Sequence, residues 1–226
     1  MLLLVTDTSG KQGSVALARG EERDGNEVEV NEVAFLAGGM FSAQLVPQIA
    51  ALLAKHRLSK ADIDAFIVVS GPGSFTGLRV GLAAIKALAE ILKKPIVPVS
   101  LLEILAIASR AQGKAAAVLD AGRGEVYFGA YEIVGELVQV LQEQLLSKSE
   151  FLSAARESTI VTPNSTLAAA AREAGLAVLI VDPPGPETIT RLGLRKLRAG
   201  ETVSPEQLEA NYMRRSDAEM FVKTSS

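Results

Sequence analysis

The alternation of apolar and polar residues at the start of the chain predicts three strands. Strand-like runs lie at residues 2–6, 14–18 and 28–35. The turn signal Asp24-Gly25 separates the second run from the third, so we expect a three-stranded meander. An apolar stripe at helical spacing follows. Pro47 near its first turn predicts a late start or a kink in this helix.

From residue 65 the pattern changes to buried strands that alternate with helices. Residues 65–69 are too uniformly apolar for a sheet with one wet face. The glycine-rich turn at residues 70–77 opens a helix that runs to about residue 92. A strand at residues 96–99 comes next, and Ser100-x-x-Glu103 predicts a capping box on the following helix.

The second half of the chain returns to the order of the first. It has predicted strands at residues 115–119, 126–133, 138–145, 159–162 and 178–181, and predicted helices at 165–174 and 187–199. The tail after Glu219 is expected to fray. The pattern predicts two α/β units, residues 1–100 and an abbreviated copy at 101–226.

Composition narrows the possible chemistry. The 226 residues include no cysteine and one histidine, His56, which excludes zinc–thiolate sites, cysteine nucleophiles and two-histidine metal sites within one chain. The formal net charge of −3 and the absence of tryptophan argue against a nucleic-acid-binding surface. The apolar start, residues 1–5, is too short for a signal peptide or membrane span, which predicts a cytoplasmic protein with no membrane contact.

Two predicted hairpins have similar sequences and lie half a chain length apart. Asp7-Thr8-Ser9 leads through Gly13 into a strand, and Asp120-Ala121-Gly122 leads through Gly124 into another. Backbone N–H groups of such turns can bind phosphate, with Mg²⁺ held between the aspartate and the phosphate oxygens. The alternative is that each aspartate caps its own turn. For the pair we favour a shared ancestral architecture without retained catalysis.

The glycine-rich turn nearly matches two phosphate-binding motifs and satisfies neither. Thr76 stands where a dinucleotide fingerprint needs its third glycine, and there is no P-loop lysine. Gly77-x-x-x-Gly81 instead allows another helix to approach closely. We expect a bulky residue at either glycine to block pairing more than folding. The helix is apolar on nearly two faces, which favours a docking surface over burial within the chain.

The predicted partner interface takes residues from both of these helices. They are Leu45, Ile49, Leu52, Leu53, Phe75, Gly77, Leu78, Arg79, Gly81, Leu82 and Ile85, with Arg79 at the exposed edge. His56 is interpreted as a helix-end residue. The basic run Arg191, Arg195, Lys196 and Arg198 is interpreted as a solvated face, with contact to RNA phosphate as the alternative.

Over nearly its whole length the sequence resembles the TsaB (YeaZ) family of the actin-like, Hsp70 and sugar-kinase superfamily. The resemblance is carried by Asp7-Thr8-Ser9, Ser70-Gly-Pro-Gly-Ser-Phe-Thr-Gly-Leu-Arg79-Val-Gly81, Val99-Ser-Leu-Leu-Glu103, Asp120-Ala-Gly-Arg-Gly-Glu-Val-Tyr127 and Tyr212-Met-Arg214. It implies an α/β fold of the duplicated actin-like (ribonuclease H-like) type, with two subdomains whose mixed sheets are flanked by helices.

The same resemblance implies a function in making threonylcarbamoyladenosine in tRNA. Members are non-catalytic subunits that form homodimers, pair with the catalytic subunit TsaD through their first two helices, and join a larger assembly with the ATPase TsaE. Contact with tRNA is through the complex. No cofactor is expected to bind the chain alone tightly, although ATP or ADP with Mg²⁺ is possible in the complex.

One comparison within the superfamily bears on catalysis. TsaD has a His-x-x-x-His metal pair, and the matching positions here are Leu101 and Leu105. Leucine cannot bind a metal, so the resemblance implies no metal site. Phe41 also stands where many family members have a histidine. The alternative function is an actin-fold ATPase or small-molecule kinase built on the two hairpins. No residue spacing supports a peptidase site.

Overall fold

A computed structural model describes residues 1–20, 28–135 and 137–213. The turn predicted at Asp24-Gly25, the motif residue Arg214 and the tail after Glu219 lie outside the described residues. The described chain forms two five-stranded mixed sheets with helices packed on them.

The first sheet confirms the predicted meander and continues it with parallel strands. Its strands are β1 (Leu2–Asp7), β2 (Gly13–Gly20), β3 (Val28–Leu36), β4 (Ala65–Gly71) and β5 (Ile96–Ser100). Their spatial order is β3-β2-β1-β4-β5. β1 and β2 are antiparallel, as are β2 and β3, whereas β4 pairs in parallel with both β1 and β5.

The second sheet repeats this arrangement strand for strand. Its strands are β6 (Gly113–Gly122), β7 (Glu125–Val134), β8 (Leu137–Ser147), β9 (Thr159–Thr162) and β10 (Val178–Ile180). The order β10-β9-β6-β7-β8 is the first sheet's order read from the other edge. The duplication inferred from the two similar hairpins is therefore a duplication of the whole sheet.

The helices also correspond one to one between the two units. They are α1 (Phe41–Lys55), α2 (Phe75–Leu92) and α3 (Leu101–Ala108) in the first, and α4 (Lys148–Ala154), α5 (Ser165–Glu173) and α6 (Pro186–Arg198) in the second. The second unit is shortened rather than incomplete: α4 and α5 have 7 and 9 residues, against 15 and 18 in α1 and α2. The boundary at residue 100 stays a prediction.

Each sheet is covered by helices in a way that joins the two units. α1 and α2 pack on one face of the first sheet, and α6 covers the opposite face through Ile189, Leu192 and Leu194. α3 places Ile104 against the first sheet and Leu102 and Leu105 against the second. The last helix within the described residues, α6, therefore completes the core of the first unit.

The predicted late start of α1 and the predicted capping box of α3 are wrong, whereas the kink at Pro47 stays a prediction. α1 begins at Phe41, with Pro47 inside it, because the buried Phe41 ring extends the stripe of Leu45 and Ile49 back by one turn. Ser100 does cap α3, accepting from the Leu102 N–H at 3.2 Å, but Glu103 does not complete a capping box. Its carboxylate is buried and pairs with Lys196 of α6 at 3.1 Å.

A polar network joins the two units around Glu143 of β8. Its carboxylate accepts hydrogen bonds from Ser100 Oγ and Tyr131 Oη, both at 2.6 Å, and from Asn211 Nδ2 at 2.8 Å. Asn211 also donates its backbone N–H to the Ser70 carbonyl at 2.8 Å. Burial, followed by the Glu143 charge, raises the pKa of Tyr131 far above its ordinary value, so the phenol remains a donor.

Among the described residues, none of the helices combines the length and apolar character needed to cross a membrane.

Candidate functional site

The first predicted hairpin is held by Asp7 itself. Asp7 Oδ1 accepts from the Ser9 N–H at 2.8 Å and from Ser9 Oγ at 2.6 Å. Burial raises the pKa of the Asp7 carboxyl, and the two hydrogen bonds from Ser9 oppose this effect. Thr8 between them is buried. The turn-capping interpretation therefore describes Asp7 in the folded chain.

The second hairpin uses the same device in a more exposed position. Asp120 Oδ1 accepts from the Gly122 N–H at 2.9 Å. Gly122 and Gly124 have φ values of +74° and +81°, in the left-handed region that favours glycine. The chain thus makes one kind of aspartate-capped turn twice.

The two hairpins open onto one cleft between the units. A cavity of about 740 Å³ is lined by Ser9, Gly10 and Lys11 from the first hairpin and by Asp120 and Ala121 from the second. The starts of α1 and α2, the turns before them and Tyr127 of β7 line the rest of the cavity. Asp7, Thr8 and Gly122, also predicted for this site, are not among its lining residues.

A second cavity, of about 460 Å³, lies on the other side of the first hairpin. Asp7 lines it together with Leu101, Leu105 and Leu119, and the 183–186 connector closes it. The two leucines singled out by comparison with TsaD therefore line this second cavity beside Asp7, and not the larger cleft. Within the described residues no group of three His, Cys, Asp or Glu side chains could hold a metal ion.

The predicted partner interface needs correction. Its α1 members are 1–6% exposed and pack in the chain's own core; they are Leu45, Ile49, Leu52 and Leu53. Its buried α2 members are Gly77, Leu78, Gly81, Leu82 and Ile85. Phe75 and Arg79 are the exposed exceptions. The apolar stripes face the first sheet, so they are core residues and not contact residues.

The small residues of α2 also have a different role from the one predicted. A Cβ at Gly77 would overlap the Thr8 carbonyl oxygen, and a Cβ at Gly81 would overlap Thr8 Oγ1. The glycines therefore allow α2 to lie directly against the first hairpin, not against a partner helix. We therefore expect a bulky residue at either position to disturb folding, contrary to the expectation from the sequence.

The solvent-facing side of the same two helices is nevertheless short of charge. We call it the outer helix face, made up of Ala43, Val46, Ala50 and Ala54 of α1 with Ala83, Ala87 and Ile91 of α2. All seven are exposed, Val46 at 55% and Ile91 at 68%. An exposed apolar surface of this kind is typical of a protein contact. We therefore expect docking on the solvent-facing side of α1 and α2, and not on the apolar stripes that face the first sheet.

A cluster of stacked aromatic and arginine side chains at one end of α2 was not predicted from the sequence. The Arg79 guanidinium lies 3.7 Å from the Phe75 ring centroid, and its Nε donates to Tyr212 Oη at 3.1 Å. The Phe75 and Tyr212 ring centroids are 5.2 Å apart. Only the family motif Tyr212-Met-Arg214 pointed to this segment, because 133 residues separate Arg79 from Tyr212.

His56 is a helix-end residue, as interpreted from the sequence. It follows the last turn of α1, and its Nε2 lies 2.8 Å from Glu32 Oε2.

Asp7→Asn is expected to raise the melting temperature at pH 7 and to lose that advantage at pH 3. The amide keeps Oδ1 as the acceptor for Ser9. Burial raises the Asp7 pKa above its ordinary value of 3.8, so the folded state binds this proton more tightly than the unfolded chain does. Stability is therefore lost as the pH rises through the folded-state pKa. Thermal unfolding at both pH values measures this, and an equal shift at both would contradict it.

Asp120→Asn is the matched control for that substitution. It makes the same change at the exposed copy of the turn, where we expect little effect on the melting temperature at either pH.

Comparison with known proteins now defines the class. The family model described as TsaD, tRNA N6-adenosine threonylcarbamoyltransferase, matches residues 36–194. Two solved structures from Pseudomonas aeruginosa superpose on the chain. One is YeaZ, at 25% identity and a TM-score of 0.72, covering 93% of this chain and 99% of that one. The other is described as similar to peptidase YeaZ, at 28% identity and a TM-score of 0.74, covering 94% and 99%. The chain has the duplicated actin-like fold, as expected.

Curated relatives identify the branch of this class. TsaB of Bacillus subtilis is 33% identical over 159 residues, which is 70% of this chain and 67% of that protein. TsaB of Haemophilus influenzae is 37% identical over 144 residues, 62% of this chain and 56% of that protein. TsaB of Escherichia coli is 28% identical over 233 residues, 96% of each. The chain belongs to the TsaB (YeaZ) family.

Proposed function

We propose that the chain functions in the biosynthesis of threonylcarbamoyladenosine in tRNA, as a non-catalytic subunit that binds and activates TsaD. The relatives in Bacillus subtilis, Haemophilus influenzae and Escherichia coli are named for that pathway. The observation that carries the partner role is the outer helix face. A protein that buries this surface against a partner removes exposed apolar area from water.

The residues around the two hairpins support a role in which this chain carries out no catalysis. Leu101 and Leu105, which the resemblance places at the positions of the TsaD metal pair, line the cavity beside Asp7. Neither side chain can bind a cation. Asp7 and Asp120 are each engaged in their own turns. The catalytic groups would come from TsaD, while this chain positions it.

Light scattering on a mixture of the purified chain with TsaD tests the proposal. The expected result is a heterodimer mass, a homodimer for the chain alone, and a larger species when TsaE and nucleotide are added. Two separate species under every nucleotide condition would refute it. In a transfer assay, the isolated chain should transfer no threonylcarbamoyl group to tRNA. In a binding assay, it should retain tRNA only when TsaD is present.

A second candidate function is an actin-fold ATPase or small-molecule kinase. The observation that favours it is the opening of both hairpins onto one cleft of about 740 Å³. The fit to a nucleotide with Mg²⁺ is poor for the chain alone, because among the described lining residues Lys11 is the only cation and the described part holds no metal-binding cluster. We therefore propose that ATP or ADP with Mg²⁺ binds in the assembled complex rather than to this chain alone.

Calorimetric titration of the isolated chain with ATP and Mg²⁺ separates the two functions. We expect no tight binding and no turnover. Tight binding that is lost in Asp7→Ala would favour the kinase or ATPase instead.

A further inference from the structure

The cluster of Phe75, Arg79 and Tyr212 holds a guanidinium group in a fixed position at the protein surface. Arg79 Cζ lies 3.7 Å from the Phe75 ring centroid and 5.9 Å from the Tyr212 ring centroid. Arg79 Nε also donates a hydrogen bond to Tyr212 Oη at 3.1 Å. All three side chains are exposed, Phe75 at 37% and Tyr212 at 43%. Two aromatic rings and one hydrogen bond therefore restrict a long side chain that still faces solvent.

The segment that follows α6 places Tyr212 in this cluster. Leu208 of that segment is 1% exposed and packs in the core beneath α1 and α2. Asn211 is held twice: its backbone N–H donates to the Ser70 carbonyl and its Nδ2 donates to Glu143, each at 2.8 Å. The residue next to Tyr212 is therefore anchored to both units, which fixes the ring that accepts the hydrogen bond from the arginine.

The terminal nitrogens of the Arg79 guanidinium keep their hydrogen-bonding capacity. Nε is the atom that bonds Tyr212, and among the described residues no carboxylate lies within ion-pair distance of Nη1 or Nη2. The N–H groups on these two nitrogens form the planar edge that matches both oxygens of a carboxylate. Because stacking already restricts the side chain, binding a carboxylate here costs less conformational entropy than at an unrestricted arginine.

The cluster borders the outer helix face. Arg79 lies one helical turn before Ala83 on α2, so the two side chains project from the same side of the helix. The seven residues of the outer helix face carry no charge, and Arg79 adds one positive group at its edge. An apolar centre bordered by arginine and aromatic side chains is typical of a contact between proteins. A nucleic acid would require a broad basic surface, which a single arginine on a chain of net charge −3 does not supply.

We propose that Arg79, held by Phe75 and Tyr212, binds an aspartate or glutamate side chain of the protein that covers the outer helix face. This inference rests on the proposed function, in which that protein is TsaD. The two aromatic rings orient the guanidinium and also border the ion pair, which limits its contact with water. A pair sheltered in this way is weakened less by salt than a fully exposed pair.

Calorimetric titration of TsaD with variants of the full chain tests the proposal. Arg79→Gln should weaken binding about tenfold or more, because it removes the hydrogen bonds to a charged group. Arg79→Lys should recover only part of this loss, since an ammonium group keeps the charge but lacks the planar fork. Tyr212→Phe keeps the ring and removes the acceptor of Nε, so it should weaken binding about threefold. Arg172→Gln removes an exposed arginine from α5 and is the matched control, with unchanged affinity.

Charge reversal identifies the group that Arg79 binds. Arg79→Glu places two carboxylates against each other and should weaken binding to TsaD by at least about 100-fold. Replacing the acidic residues of TsaD by lysine, one at a time, should restore binding of Arg79→Glu at a single position. The same TsaD variant should bind the unmodified chain poorly, which is the energetic coupling expected of a direct pair. Melting temperatures of all variants confirm that the chains are folded.

The results separate this proposal from the proposed function. If the unmodified chain binds TsaD and Arg79→Gln binds it equally well, the Arg79 contact is overturned and the heterodimer stands. If the unmodified chain does not bind TsaD, both are overturned. The Arg79 contact is also overturned if Arg172→Gln weakens binding as much as Arg79→Gln, or if no lysine in TsaD restores binding of Arg79→Glu. Unchanged TsaD binding with loss of tRNA from the assembled complex would assign Arg79 to RNA phosphate instead.

Discussion

Ala50→Glu is expected to weaken binding to TsaD by at least about 100-fold, which corresponds to about 2.7 kcal/mol. Ala50 lies near the middle of α1 on the outer helix face and is exposed, so the substitution should leave the fold unchanged. A carboxylate buried without a partner in an apolar contact costs several kcal/mol. Calorimetric titration of the variant with TsaD measures the loss, and circular dichroism confirms that the chain remains folded.

Ala169→Glu makes the same substitution on the exposed side of α5, in the second unit, and serves as the control. It should bind TsaD like the unmodified chain. The homodimer is expected to use the same outer helix face, so Ala50→Glu should also be monomeric in light scattering. A variant that keeps the unmodified affinity for TsaD would remove the outer helix face from the interface.

Gly77→Ala is expected to destabilise the fold by about 3 kcal/mol or more, because its Cβ would overlap the Thr8 carbonyl oxygen. A backbone atom cannot rotate away, so α2 must shift relative to the first hairpin. Gly81→Ala meets the Thr8 side chain instead and should cost less. Chemical denaturation measures both, and a loss below about 1 kcal/mol for Gly77→Ala would contradict the close approach.

A second substitution at Thr8 tests this geometry directly. Thr8→Ala removes Oγ1, so it should partly relieve Gly81→Ala and leave the cost of Gly77→Ala unchanged. Gly185→Ala is the control, since a Cβ at Gly185 meets nothing within 4 Å. It should cost about 1 kcal/mol or less. Equal relief of both α2 variants would mean that the helix and the hairpin are not in contact as described.

The architecture could be predicted from the sequence because its signals are local. The similar hairpins at Asp7 and Asp120 indicated a duplication. The apolar runs correctly predicted the location of every strand in both sheets. α4 was missed because a helix of 7 residues is too short to establish a helical period. Gly122 and Gly124 were correctly read as turn residues, since their left-handed backbone favours glycine.

The contacts of the helix surfaces could not be predicted, because the spacing of an apolar stripe does not show which element packs against it. The period of α1 identified Leu45, Ile49 and Leu52 as one face, but nothing in the spacing distinguishes the chain's own sheet from a partner. Gly77 and Gly81 likewise indicated a close neighbour without indicating that it is Thr8. The Arg79–Tyr212 contact depends on segments far apart in sequence.

The position of α6 has a consequence for synthesis on the ribosome. β1 leaves the exit tunnel early, but the helix that covers one face of its sheet begins only at Pro186. Until then Leu3, Val5 and Ala16 lack their contact with α6, so the first sheet cannot finish folding before α6 has been synthesised. During that interval this face of the sheet exposes apolar side chains, which makes the nascent chain prone to aggregation.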